Sequence, residues 1–232
     1  MSLRIAALII AVFSAILSST AARPEAPAKA RAEGDSWVIN DDFRADPIPD
    51  AVFARMNGKS FKSDCTVPRS ELRYVSVLIS DGKGGKSKGE MVVNKLIAKD
   101  VVEIFYQLCE AGYAIERMRL IDDYDADDTS SMEANNTSAF NFRKVAGTQR
   151  LSNHARGLAV DINPLYNPWV RTKKGKTLVD PPSARKYADR ASSFPYKIDR
   201  NDLAYKLFTE RGFTWGGSWK SSKDYQHFEK KY

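Results

Sequence analysis

The sequence predicts an α+β fold, on three observations. "RYVSVLIS" (73–80) and "GEMVVN" (89–94) are apolar and β-branched like strands. "NKLIAKDVVEIFYQLCEAG" (94–112) repeats its apolar residues at helical spacing. Strands and helices then follow one another along 232 residues without a regular βαβ rhythm. Hydrophobic residues make up 43% of the chain, enough for one sizeable core.

The N-terminus is read apart from that fold. Arg4 precedes "IAALIIAVFSAIL" (5–17), and "SSTAA" (18–22) follows with small residues. The apolar run is shorter than the roughly 18 residues a membrane span needs. Residues 1–21 are therefore expected to be a secretory signal peptide, which makes the protein exported, periplasmic or extracellular. No stable membrane insertion is expected after cleavage. Residues 22–36 include the Pro/Ala-rich, charged "RPEAPAKARAEGD" and read as a flexible spacer. Residues 37–232 are then the folded domain, expected to be a monomer.

Within the domain, "DGKGGKSK" (81–88) joins the two strands. It approaches a phosphate-loop pattern, but Ser80 stands where the first glycine is needed, so it reads as a hairpin turn. In the helix, Leu96, Ile97, Val101, Ile104, Phe105 and Leu108 share one face. Asn94 caps its start and Gly112 ends it. "YAIERMRLI" (113–121) alternates like a half-buried strand. The acidic stretch 122–139 resembles a calcium loop at Asp123, Asp125 and Asp127. It fails that template at Asp128 and Ala134, so Asp122, Asp123 and Asp125 read as solvated. "LAVDI" (158–162) is a short strand. Residues 164–200, with five prolines, read as an irregular excursion. "DLAYKLFTERG" (202–212) is a second helix, and "YQHFE" (225–229) a last strand.

The formal charge is +7, or +6 without Arg4. That excess suits an anionic surface such as a cell wall. No basic run with interleaved aromatics is present, so nucleic acid is not an expected partner. Cys65 and Cys109 could form a disulfide in an exported chain, or Cys109 could be a small buried hydrophobe.

The chain has only two histidines. His154 lies in "LSNHARGLAVDIN" (151–163), with Gly157 allowing the loop to turn back towards Asp161. His227 follows Asp224 by three residues. A hydrolytic metal site needs about three protein ligands and an open position. His154, Asp161 and His227 can supply them, and Asp224 can serve as a separate carboxylate base. The spacing alone equally allows two structural histidines and an aspartate bonded to backbone.

"SNHARGLAVDIN" resembles the S-x-H-x-x-G-x-A-x-D signature of the zinc D-alanyl-D-alanine carboxypeptidases. That VanY-like family is related to phage L-alanyl-D-glutamate endopeptidases. Ser152, His154, Gly157, Ala159 and Asp161 match it. "KDYQHFE" (223–229) resembles the second motif, D-x-x-H, at Asp224 and His227. "GFTWGGSW" (212–219) resembles the segment that precedes it, and "SAFNFRKVAGT" (138–148) the segment carrying the substrate-binding arginine, here Arg143.

The resemblance implies a Hedgehog/DD-peptidase-type fold, with an antiparallel sheet carrying the metal and helices packed on it. It implies one catalytic zinc ion on His154, Asp161 and His227, with Asp224 as base. Arg143 would stabilise the oxyanion or hold a substrate carboxylate. Ser152 would bind substrate or cap its turn, and Trp215 would wall the cleft. The implied partners are peptidoglycan stem peptides. Removal of a terminal D-alanine is the first expectation and endopeptidase cleavage the alternative. A non-catalytic wall-binding module on the same fold is the alternative from another class, though the presence of Asp224 counts against it.

Overall fold

The structure is a computed structural model that describes residues 28–145 and 147–232. The expected signal peptide lies outside them. The largest sheet is an antiparallel meander of β1 (Arg31–Glu33), β2 (Ser36–Asn40), β3 (Phe43–Pro47), β4 (Leu72–Ser80) and β5 (Lys86–Asn94). α1 (Asp50–Met56) connects β3 towards β4. β4 and β5 pair along their full nine residues, from Leu72 opposite Asn94 to Ser80 opposite Lys86. The 81–85 turn is closed by Asp81, whose carboxylate accepts from Lys83 N and Gly85 N.

α2 (Lys95–Glu110) packs against this meander. Asn94 caps it, accepting from Leu96 N at 3.1 Å. Ile97, Val101, Ile104, Phe105 and Leu108 are buried as the periodicity requires, but Leu96 is 47% exposed. Leu96 lies about 100° round the helix from the buried Ile97, off the stripe that Ile97, Val101, Ile104 and Leu108 form. The α2 residues share one hydrophobic cluster with Val75, Val77 and Met91 of the meander, and also with Val160, Phe208 and Phe228. One core therefore supports both the meander and the strands that carry the histidines.

Those strands form two small antiparallel sheets. In one, β13 (His227–Glu229) lies between β8 (Ala159–Asp161) and β11 (Thr214–Trp215). In the other, β9 (Trp169–Lys173) lies between β10 (Lys176–Asp180) and β12 (Lys223–Asp224). α4 (Leu203–Glu210) packs on α2. β6 (Arg117–Met118) and β7 (Asn136–Thr137) form a short parallel pair, with α3 (Asp128–Glu133) between them in sequence. The chain is thus α+β with mainly antiparallel sheets.

Several expectations need correction. The spacer read over 22–36 is too long, because β1 occupies 31–33. Ala30 is buried, and its N–H donates to Glu103 of α2 at 3.1 Å. The strand expected at 113–121 shrinks to β6, since a 3-10 turn begins at Ile121. Asp122 is buried rather than solvated, accepting from Ser60 N at 2.9 Å and from Ser60 Oγ at 3.0 Å. Its neighbours Asp123 and Asp125 are exposed, as expected, and pair at the surface with Arg55 and Lys59. The 164–200 excursion contains the β9–β10 hairpin. Cys65 and Cys109 are free thiols, the first half-buried and the second a buried residue of α2 within the core cluster.

Candidate metal centre

His154 stands in a 3-10 turn, His154–Arg156, that ends at Gly157 with φ +68°. A Cβ at Gly157 would lie 2.6 Å from Asn94 N, so the close approach requires glycine as much as the dihedral does. The approach pins the loop to the start of α2. Asn94 N donates to Gly157 O at 2.8 Å, and Asn94 Nδ2 to Arg156 O at 3.1 Å. Ser152 Oγ accepts from His154 N at 3.2 Å and caps the turn, which accounts for the serine locally.

Asp161 ends β8 and lies directly opposite His227 of β13. Paired residues in an antiparallel ladder project to the same face, so the carboxylate and the imidazole meet. His227 Nδ1 is 3.0 Å from Asp161 Oδ1, His154 Nε2 is 3.2 Å from Asp161 Oδ2, and the two ring nitrogens are 3.1 Å apart. Candidate ligand atoms of all three residues lie within 4.8 Å of one another, and both histidines are buried.

The outer contacts of the rings decide what the inner atoms can do. His154 Nδ1 sits 2.7 Å from the Ala139 carbonyl, which can only accept, so Nδ1 carries the hydrogen. His227 Nε2 faces Glu229 Oε2 at 3.1 Å and donates to that carboxylate. In neutral rings this leaves lone pairs on His154 Nε2 and His227 Nδ1, both directed at the Asp161 carboxylate and at each other. Three acceptors converge with no donor among them. A divalent cation resolves that conflict, and two imidazoles with one carboxylate suit zinc. The chain's residues therefore fit a metal.

Electrostatics within the protein express the same conflict. Burial disfavours a charge on Asp161, but the two histidines outweigh it and hold the carboxyl far below the usual range. Burial also opposes a charge on His227. Asp161 and Glu229 overcome it and push the imidazole up to about 10. The hydrogen bond from His227 draws Glu229 down to about 2.

Asp224 lies on β12, opposite Trp169 of the β9–β10 hairpin. The excursion thus holds the strand that carries the expected base. A Cβ at Gly216 would come within 2.7 Å of Asp224 Cβ, so this glycine lets the strand approach. Asp224 is half-buried as a residue, yet its Oδ1 is closed off and makes no hydrogen bond among the described residues. Burial raises its carboxyl to about 7, against the pull of His227, His154 and Arg143. An unpartnered carboxylate oxygen with a raised pKa is equipped to accept a proton.

Arg143 pairs through Nε with Asp128 of the acidic stretch. Its positive charge also acts on the Asp224 carboxyl, more weakly than the two histidines do. Trp215 is buried in the core, with Nε1–H donating to Tyr225 O at 2.9 Å. It touches a hollow of about 420 Å3 that Trp219 and Glu229 also line. Trp219 packs beside His227, their ring centres 5.2 Å apart. Sequence reasoning passed over Glu229 and Asn153. The signal for Glu229 was available, because residues two apart on a strand share a face with His227.

A buried His-Asp-His group with an unpartnered carboxylate beside it has the parts of a metal-dependent hydrolase. Residues 146–230 match the family model described as D-alanyl-D-alanine carboxypeptidase, and this segment of the chain is a domain of that family. The match includes His154, Asp161, Asp224 and His227 and begins just after Arg143. No curated protein and no solved structure matches the chain.

Proposed function

We propose that this chain is an exported, zinc-dependent peptidase that hydrolyses peptidoglycan stem peptides, removing a terminal D-alanine. The observation that carries the reading is the convergence of His154, Asp161 and His227, with the unpartnered Asp224 carboxylate adjoining them, inside the matched family segment. Export rests on the N-terminal sequence pattern alone. The Hedgehog/DD-peptidase-type fold belongs to the same reading.

The chemistry follows from the residues. A zinc ion on the three ligands would supply Lewis-acid polarisation and lower the pKa of a water towards neutrality. Asp224 takes the proton from the attacking water as its oxygen bonds to the scissile carbonyl carbon. The carbon–nitrogen bond then breaks, and Asp224 returns the proton to the departing amine. Arg143 either stabilises the negative carbonyl oxygen or holds the substrate's terminal carboxylate. Ser152 acts through the backbone turn that sets His154.

The test is product mass analysis. Zinc-loaded protein is incubated with muropeptides ending in D-Ala-D-Ala, beside an Asp224→Ala control. Loss of one alanine, absent in the control, is the expected result. An internal cut would move the reading to an endopeptidase. Intact substrate in both tubes, with zinc bound, would leave a wall-binding module as the better account.

A further inference from the structure

Glu229 is placed to do more than extend the central strand of its sheet. It follows His227 by two residues on β13 and is half-buried. One oxygen, Oε2, accepts from His227 Nε2 at 3.1 Å and from Asn153 Nδ2 at 2.6 Å. Asn153 immediately precedes His154, and its own carbonyl accepts from Leu158 N, which ties it into the histidine loop. The backbone is tied alongside, since Lys230 N donates to Leu158 O at 3.0 Å. A single carboxylate oxygen thus bridges the segments carrying the two histidines.

We propose that Glu229 and Asn153 are positioning residues for the metal: the Asn153–Glu229–His227 chain fixes the His227 tautomer and sets the spacing of the two histidine segments. The inference rests on the proposed metal site but not on the substrate assigned to it. The hydrogen bond to Glu229 places the hydrogen on Nε2 and leaves the Nδ1 lone pair facing Asp161 and His154. The negative charge on Glu229 makes the imidazole a stronger donor to a cation. Asn153 orients that carboxylate. Without it, Glu229 is free to turn towards the solvent side of the hollow it lines with Trp219.

The test uses the full folded protein and reads zinc affinity by competition with a chelator, without substrate. Glu229→Gln removes the charge while keeping the shape, and is expected to weaken zinc binding about 10- to 100-fold. Asn153→Ala should weaken it by a smaller factor. The double variant should lose less than the product of the two, because both act through one oxygen. The melting temperature of the metal-free protein separates positioning from structure and should stay near the wild-type value in Glu229→Gln. A cobalt-substituted sample adds a second readout, since an altered ligand field should shift its visible spectrum in Glu229→Gln. Zinc affinity within twofold of wild type, or a metal-free melting temperature that falls in step with affinity, overturns the proposal. A wild-type chain that binds no zinc would sink the proposed function as well. Unaltered affinity in Glu229→Gln beside a zinc-binding wild type sinks this inference alone.

Discussion

Gly157 and Asp224 show how single residues set this site. Gly157 combines a positive φ with backbone contact to Asn94, so no side chain fits. Gly157→Ala should cost about 2 kcal/mol or more, because strain and a backbone clash add. A urea titration measures the loss, and the displaced His154 loop should weaken zinc binding in the same protein. Asp224 poses the opposite case, a residue whose loss should leave the fold intact. Asp224→Asn keeps the shape and removes the proposed base. Its turnover should fall by about 10²- to 10⁴-fold with zinc content unchanged. Turnover within a few-fold of wild type would mean that another group moves the proton.

At the scale of elements, two helix starts hold the site's surroundings. Asn94 caps α2 and also donates to Arg156 O in the histidine loop. Asn94→Ala should cost about 1–2 kcal/mol, the size of a lost cap with an added tie. Asp202 caps α4 by accepting from Ala204 N and Tyr205 N, and it accepts from Tyr113 Oη at 3.2 Å. Burial raises its carboxyl to about 6, against those hydrogen bonds. The folded state therefore holds this proton more tightly than the unfolded chain does. Its contribution to stability is full below the ordinary carboxylate pKa and is lost as the pH rises through about 6. Compared with Asp202→Asn, which still caps, the wild type should lose about 2–3 kcal/mol of stability between pH 4 and pH 7.5. Urea midpoints of both proteins at the two pH values check this, and parallel curves would show that Asp202 is not the group responsible.

For the whole molecule, the candidate metal ligands come from segments held together by one core. Val160 of β8 and Phe228 of β13 lie in the cluster that contains the buried face of α2. Filling the site should therefore stabilise the entire fold rather than one loop. Free zinc at about 100 times its Kd should add about 2.7 kcal/mol, and a chelator should lower the melting temperature accordingly. His227→Ala should abolish the difference between zinc-loaded and chelated samples. A melting temperature indifferent to zinc in the wild type would count against the metal site.

Elements whose pattern is local could be read from the chain alone. The β4–β5 hairpin, α2 with its Asn94 cap, and α4 follow from periodicity and capping, which act between near neighbours. The set His154, Asp161, His227 and Asp224 was suggested by the resemblance of two motifs, since spacing alone left structural histidines equally open, and the structure brings His154, Asp161 and His227 together. The remainder depends on contacts between segments distant in the chain. β1 forms because β2 offers it an edge and Glu103 receives Ala30, and no pattern within "KARAE" announces either partner. Asp122 is buried because Ser60, far away in sequence, satisfies both its oxygens. The 164–200 excursion gains a purpose when β9 pairs with the strand of Asp224. Asn153 and Glu229 stand 76 residues apart and become one hydrogen-bonded unit only when β8 and β13 pair. Local patterns record the energetics of neighbours along the chain. Satisfied buried polar groups record neighbours in space, which only the folded structure brings together.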